Sequence, residues 1–343
     1  MVRLAAFTPG RTTPSARFRI RQYIPALRQA GVECVEMGAP VDAYPPRSSW
    51  VRPLWGCLAL TTSLPRVLRS WRYDVTLFQR EMISTLVTLE PYTKRPRVLD
   101  VDDAIFLCRS GRTAARLGQL VDLVIAGNDF VAEWFTRSAS RVEVVPTAVD
   151  ADMYVPRPRP SSDPPTVGWI GTSGNHPYLV AIQDALRTAL GAVEASRLRV
   201  VSDRRPRLDR LPPDRVDFVP WSERNEVSDI QTMDVGIMPL ADSEWARGKC
   251  SFKMLQYMSC GLPVVVSPVG MNAQVLGMGD LGLAATGVGE WADALVHLLR
   301  DPGARARLGA EGRATVERSF SVKVVAPRLA RAVLATAGHP TGG

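Results

Sequence analysis

Two lysines, Lys249 and Lys253, stand four residues apart in a chain that otherwise takes its positive charge from arginine. Only Lys94 and Lys323 accompany them among 42 Lys and Arg residues. Lys is a compact point charge suited to phosphate, whereas Arg presents a planar fork. The pair lies in Trp245–Gly270. That segment has the pattern of a loop, a helix over Ser251–Cys260, a Gly turn and a buried strand over Pro263–Ser267. Gly248 frees the backbone before the helix. The N–H groups and positive dipole end of a helix N-terminus accept an anion. If the helix includes both lysines, their spacing sets them on one face. A nucleotide diphosphate suits such a place; two solvated lysines on a surface helix is the alternative.

A second group is Asp100-Val-Asp102-Asp103, directly after the apolar run Arg97–Leu99. Carboxylates at the carboxyl end of a strand face a ligand crevice in open α/β sheets. Asp102 and Asp103 are candidates for hydrogen bonds to a ligand and for a catalytic base; capping a helix that begins at Ala104 is the competing role. Asp100 and Asp102 have D-x-D spacing, too short a pattern to assign a metal, and no metal is expected. Gly10 and Arg11 follow the first apolar run, and Gly10 permits close backbone approach to a ligand. Arg17 and Arg19 are within reach of the same region or are surface charge. The three His residues are His176, His297 and His339, so the first half has no His base or His-based metal cluster. Five Cys without C-x-x-C argue against a disulfide framework or zinc site and favour a reducing cytoplasm.

The elements that must position these residues are short apolar strands alternating with helices. Expected strands are Val2–Thr8, Val32–Met37, Val75–Gln79, Arg97–Val101, Leu120–Ala126 and Val142–Val145. A helix is expected over Arg17–Ala30. A Pro-rich linker follows at 156–165, and the pattern restarts. Strands are then expected at Thr166–Ile170, Leu198–Val201, Val216–Val219, Val235–Met238 and Pro263–Ser267. Helices are expected near Tyr178–Ala192, Glu226–Met233, Trp291–Arg300 and Val322–Ala337. This predicts an α/β chain with two parallel sheets, each covered on both faces. The expected domains are 1–155, 166–318 and a last helix at 319–337 that returns towards the first domain. Ligands are expected in a cleft between the two domains.

Length and charge set outer bounds. A chain of 343 residues suits two domains. The net charge of +8 and pI near 9.6 favour an anionic partner or a solvated surface. No basic stripe with interleaved aromatics occurs, so nucleic acid is not expected. No leader peptide is expected, and no run of about 18 apolar residues predicts a membrane span. Trp50–Trp71 mixes Trp, Leu and Arg as an interfacial helix does, although Pro53 and Pro65 argue against one long helix. Peripheral contact with the inner membrane face and a partly buried helix pair both remain open.

Several segments together resemble the GT-B glycosyltransferases of family 4, the group 1 type. Gln256-Tyr-Met-Ser-Cys-Gly-Leu-Pro-Val-Val265 is similar to the family's E-A-M-A-x-G-x-P-V-V segment. Asp234–Pro239 resembles the strand before it. Val144–Asp150 resembles the family's I-P-N-G-V-D, and Ser319-Phe-Ser321 its last segment. The resemblance implies two Rossmann-like domains and sugar transfer from a nucleotide-sugar co-substrate, with retention of configuration and no metal or other cofactor. The acceptor is a small molecule, a lipid-linked molecule or a glycan. It places the donor diphosphate at Lys249 and Lys253, with Gly171, Thr172 and Ser173 where the family carries an Arg/Lys pair, and at Gly10 and Arg11. Gly248, Ser251 and Phe252 form the donor loop. Trp221 falls near the base and Gln256 near the ribose. The family's two donor-domain glutamates fall on Gly248 and Gln256, so sugar recognition differs here. That loss also fits a second reading, a catalytically inactive GT-B scaffold or partner subunit.

Overall fold

The computed structural model describes residues 1–10, 13–46, 48–158, 160 and 163–338. Two compact units divide the chain. One comprises Met1–Ala148, Gly248–Cys250 and Val322–Gly343; the other comprises Val149–Arg247 and Ser251–Ser321. The break falls at Val149 rather than near Pro156. Val149 bridges in parallel to Ser321 and its N–H donates to the Phe320 carbonyl at 2.9 Å, which fixes it in the second unit.

The first unit is built on β1 (Val2–Thr8), β2 (Val32–Gly38), β3 (Val75–Gln79), β4 (Arg97–Val101), β5 (Leu123–Ala126) and β6 (Val142–Val144). They form one parallel sheet in the order β2-β1-β3-β4-β5-β6. β3, β4 and β5 are buried along their whole length, as strands covered on both faces are, and β3 and β4 carry the polar Thr76, Gln79, Arg97 and Asp100 inward with their apolar residues. The expected helix over Arg17–Ala30 is broken into α1 (Pro14–Arg19), a 3-10 turn at Arg21–Tyr23, and α2 (Ile24–Gln29). Pro25 explains the restart, since proline suits a first helical turn and not an interior. α3 (Arg52–Ser70) is one 19-residue helix. Pro53 sits in its first turn without cost, and Pro65 is tolerated because Ala59, Ser63, Val67 and Ser70 bury one continuous face. α4 (Arg112–Leu120) and α5 (Asp129–Phe135) cover the far strands.

The second unit has β7 (Thr166–Ile170), β8 (Arg197–Ser202), β9 (Val216–Pro220), β10 (Val235–Met238), β11 (Val264–Val266) and β12 (Gly282–Ala284). Their order is β12-β11-β10-β7-β8-β9, all parallel. Counted within the unit this is the doubly wound Rossmann order, reversing direction between β7 and β10. The expected helix over Tyr178–Ala192 is two, α6 (His176–Ala181) and α7 (Gln183–Ala192). α8 (Glu226–Ile230), α9 (Glu244–Arg247), α10 (Phe252–Ser259), α11 (Met271–Leu276), α12 (Val288–Arg300) and α13 (Pro302–Ser319) complete it. α14 (Val322–Thr336) belongs to the first unit, where Val325, Leu329 and Val333 join Val2, Leu4 and Leu27 in one core.

Candidate functional site

In the first unit the sheet order reverses between β1 and β3, and ligand crevices lie at such points, at strand carboxyl ends. The residue after β3 is Arg80, held in the left-handed region at φ +63°. A non-glycine residue there is strained and is retained where the surroundings demand it. The demand is electrostatic. Arg80 Nε donates to Asp102 Oδ1 at 2.8 Å, and Nη2 lies 2.7 Å from the same oxygen. Nη2 also donates to Asp103 Oδ2. Gln79 Nε2 reaches Asp102 Oδ1 at 3.3 Å. Burial pushes the Asp103 carboxyl above its ordinary value, against the pull of Arg80 and Lys249. Neither carboxylate caps a helix: the turn at Ile105–Gly111 has no side-chain cap. Sequence reading singles out Asp102 and Asp103 but not Arg80, although its place just past a strand is an available signal.

Arg19 and Asp100 are structural. They pair at 2.5 Å with both side chains 2% exposed, and Arg19 Nη1 also donates to the Val145 carbonyl at 2.9 Å. Arg19 is therefore not a surface or ligand-facing group. The D-x-D spacing is split, each Asp meeting a different Arg. Among the described residues no cluster of three or more His, Cys, Asp or Glu is arranged to hold a metal. Gly10 is buried and has φ +139°; Arg11 lies outside the described residues. The Arg17 guanidinium stacks over the Phe18 ring at 4.6 Å.

Gly248–Cys250 cluster with this unit. A Cβ on Gly248 would stand 2.6 Å from the Ala104 Cβ and 2.9 Å from its nitrogen, so no side chain fits where the family carries a glutamate. Asn128 Nδ2 donates to the Gly248 and Lys249 carbonyls at 2.9 and 3.1 Å, while its Oδ1 caps α5 by accepting from Val131 N. The Cys250 thiol donates to the Asp102 carbonyl at 3.1 Å, and burial pushes its pKa up to about 12, so it remains protonated. Lys249 precedes α10, which starts at Phe252. The two lysines therefore do not share a helix face.

In the second unit Lys253 occupies the first turn of α10. Its ammonium lies 4.6 Å from the centroid of Trp169, a buried β7 residue. Gly171, just past β7, makes this approach possible, since a Cβ there would meet Lys253 Nζ at 2.5 Å. Lys253 and Gly171 thus meet at the carboxyl end of the strand where the sheet order reverses. Ser251, the N-cap, is in the left-handed region at φ +51°, and its hydroxyl donates to Asn272 Oδ1 at 2.6 Å. Phe252 is half-buried. Thr172 Oγ1 accepts from Asn175 Nδ2 at 3.0 Å. Ser173 is already engaged: its N–H and hydroxyl donate to the two Asp203 carboxylate oxygens at 2.6 and 2.7 Å. Burial opposes the charge on Asp203, yet the Ser173 bonds hold its carboxyl below the ordinary value. His176 bonds the Ser202 hydroxyl at 2.9 Å, and burial depresses its basicity.

Gln256 is buried, and its Nε2 donates to Tyr154 Oη and to Glu226 Oε1, each at 3.0 Å. Its amide nitrogen is thus committed to a buried network. Glu226 also accepts from Tyr154 Oη and, at 2.8 Å, from Trp221 Nε1. Trp221 is 40% exposed, with its indole N–H held by Glu226. Sequence reading missed Glu226, a carboxylate that α8 delivers to the neighbourhood of Gln256. A cavity of about 720 Å³ lies at the other, amino ends of β7–β9, against Thr166, Arg197, Arg199 and Asp217. Both arginines pair with Asp217, and nothing of the Lys253 group faces it.

Residues 164–301 match the family described as glycosyl transferases group 1. No curated protein sequence matches the chain. Among solved structures, sucrose-phosphate synthase from Thermosynechococcus elongatus superposes with a TM-score of 0.74 at 16% identity, over 98% of this chain and 100% of that one. HepE from Anabaena, in complex with UDP, gives 0.70 at 16% identity over 98% and 100%. WaaG, a glycosyltransferase involved in lipopolysaccharide biosynthesis, gives 0.66 at 13% identity over the whole of both chains. At these identities the likeness is one of fold, and the fold is GT-B.

Proposed function

We propose that the protein, whose residues 164–301 match the group 1 glycosyltransferases and whose fold is GT-B, moves a sugar from a nucleotide-sugar donor to a hydroxyl or amine acceptor. The observation that carries this reading is Lys253, held against Gly171 and Trp169 at the first turn of α10. A helix N-terminus disfavours a cation, so a lysine there makes sense as one half of an anion site. The donor diphosphate is assigned to Lys253, the N-terminus of α10 and the backbone at Gly171 and Thr172. Ser173 takes a lesser part, because a phosphate would have to displace Asp203 from its N–H. As the glycosidic bond breaks, negative charge develops on the departing diphosphate, and Lys253 stabilises it in place. The Trp221 face suits the base. HepE's complex with UDP makes UDP the first nucleotide to test.

Asp102 and Asp103 are assigned to the acceptor, oriented by Arg80. Retention of configuration, metal independence and a cytoplasmic setting belong to the same proposal. Five free cysteines suit a reducing compartment. A proton NMR assay of the product anomer tests retention, and full activity in EDTA tests metal independence. The rival reading, an inactive scaffold, draws on the lack of space for a side chain at Gly248. A thermal-shift screen of nucleoside diphosphates separates the two: the transferase gains stability with one of them, and the scaffold gains with none.

A further inference from the structure

α3 has a buried face and an exposed apolar face. The first runs through Ala59, Ser63, Val67 and Ser70. The other is in water: Trp50, Leu54, Leu64, Leu68 and Trp71 are 81%, 75%, 47%, 70% and 61% exposed. At 3.6 residues per turn, Leu54, Leu64 and Leu68 fall within about 40° of one line along α3; Trp50 lies in the 3-10 turn Ser49–Val51 just before the helix and Trp71 just after it. A continuous apolar stripe of this kind marks an interaction surface.

Charge identifies what it meets. No Asp or Glu occurs between Asp42 and Asp74, while Arg69 and Arg72 are exposed at the C-terminal end of α3 and just beyond it. A Trp stands at each end of the stripe. Trp71 Nε1 donates to the Tyr92 carbonyl at 3.0 Å, and Lys94 Nζ lies 5.7 Å from its ring centroid, which adds a further cation to that end. Leu and Trp on one face with Arg and Lys beside them is the pattern of a helix lying in a membrane interface. A second copy of this chain would bring two basic patches together, which charge opposes. An anionic bilayer complements both features. We propose that α3 docks the protein flat on an anionic lipid surface. No described helix is long and apolar enough to cross the membrane.

Vesicle co-sedimentation of the full chain tests this. The wild type binds vesicles containing about 30 mol% phosphatidylglycerol, and far more weakly pure phosphatidylcholine. The Leu54→Ser/Leu64→Ser/Leu68→Ser variant loses binding by about tenfold or more. Arg69→Ala/Arg72→Ala loses several-fold, with a weaker salt dependence. Nucleoside diphosphate affinity and circular dichroism stay unchanged in both, so misfolding is not the cause. Cys57, exposed on the same side of α3, is shielded from alkylation by the anionic vesicles. Failure of the wild type to bind, equal binding by the Ser variant, or indifference to lipid charge overturns the proposal. A wild-type dimer that the Ser variant dissociates, without lipid binding by either, overturns it in favour of a second copy.

Discussion

Lys253 sits where helix electrostatics disfavour it, which makes it the residue with most to explain. Its replacement by Ala removes a charge-assisted contact worth about 1.5–3 kcal/mol, so nucleotide affinity falls by roughly 10- to 150-fold. Gly171→Ala displaces the ammonium and weakens binding in the same assay, with the fold retained. Gly248→Ala collides with Ala104, and loss of transfer activity with near-native circular dichroism is expected. Asp103 yields a pH prediction. Its folded pKa lies above the unfolded value, so between the two the folded state keeps a proton that the unfolded chain has released. Stability therefore falls as pH rises through that window, and Asp103→Asn removes this part of the pH dependence of Tm. At this scale the lysine pair and the acidic pair stand out in the sequence, the lysines because only four occur in the chain and the carboxylates because they follow a strand. Arg80 and Glu226 were overlooked: the strand-end place of one is masked by an arginine-rich chain, and the other is a helix residue whose contacts depend on Gln256, distant in sequence.

At the scale of elements, strands were easier to read than helices. β3, β4, β7 and β10 match their expected bounds, since each is a Val/Ile/Leu-rich run buried on both faces. β12 escaped notice because Gly282-Leu-Ala284 is too short to carry a period, and α13 because its apolar residues are sparse and small. Helix bounds failed where local chemistry intervened, as at Pro25. The lysine pair shows the same limit: i,i+4 spacing implies a shared face only inside a helix, and α10 begins after Lys249. Arg19 and Asp100 tie α1 to β4 without water. Arg19→Ala leaves a buried carboxylate unpaired and should cost about 3–5 kcal/mol. The Arg19→Met/Asp100→Leu double variant should recover much of it in chemical denaturation.

For the whole molecule, the two-sheet α/β organisation and its GT-B character were legible from alternating elements and the Trp245–Gly270 motif. The position of the break was not, because the Pro-rich stretch looks like a linker while the pairing of Val149 with Ser321 is invisible in sequence. The C-terminal helix matters at this scale. Leu329 and Val333 complete the first unit's core, so Leu329→Ala should destabilise that unit by about 2–5 kcal/mol. The central claim is that this chain binds a nucleotide-sugar donor through Lys253. Calorimetry with UDP and other nucleoside diphosphates, in EDTA, tests it most directly. The account predicts binding of at least one by the wild type and at least roughly tenfold weaker binding by Lys253→Ala. No binding of any nucleoside diphosphate, or equal affinity in the variant, would contradict it.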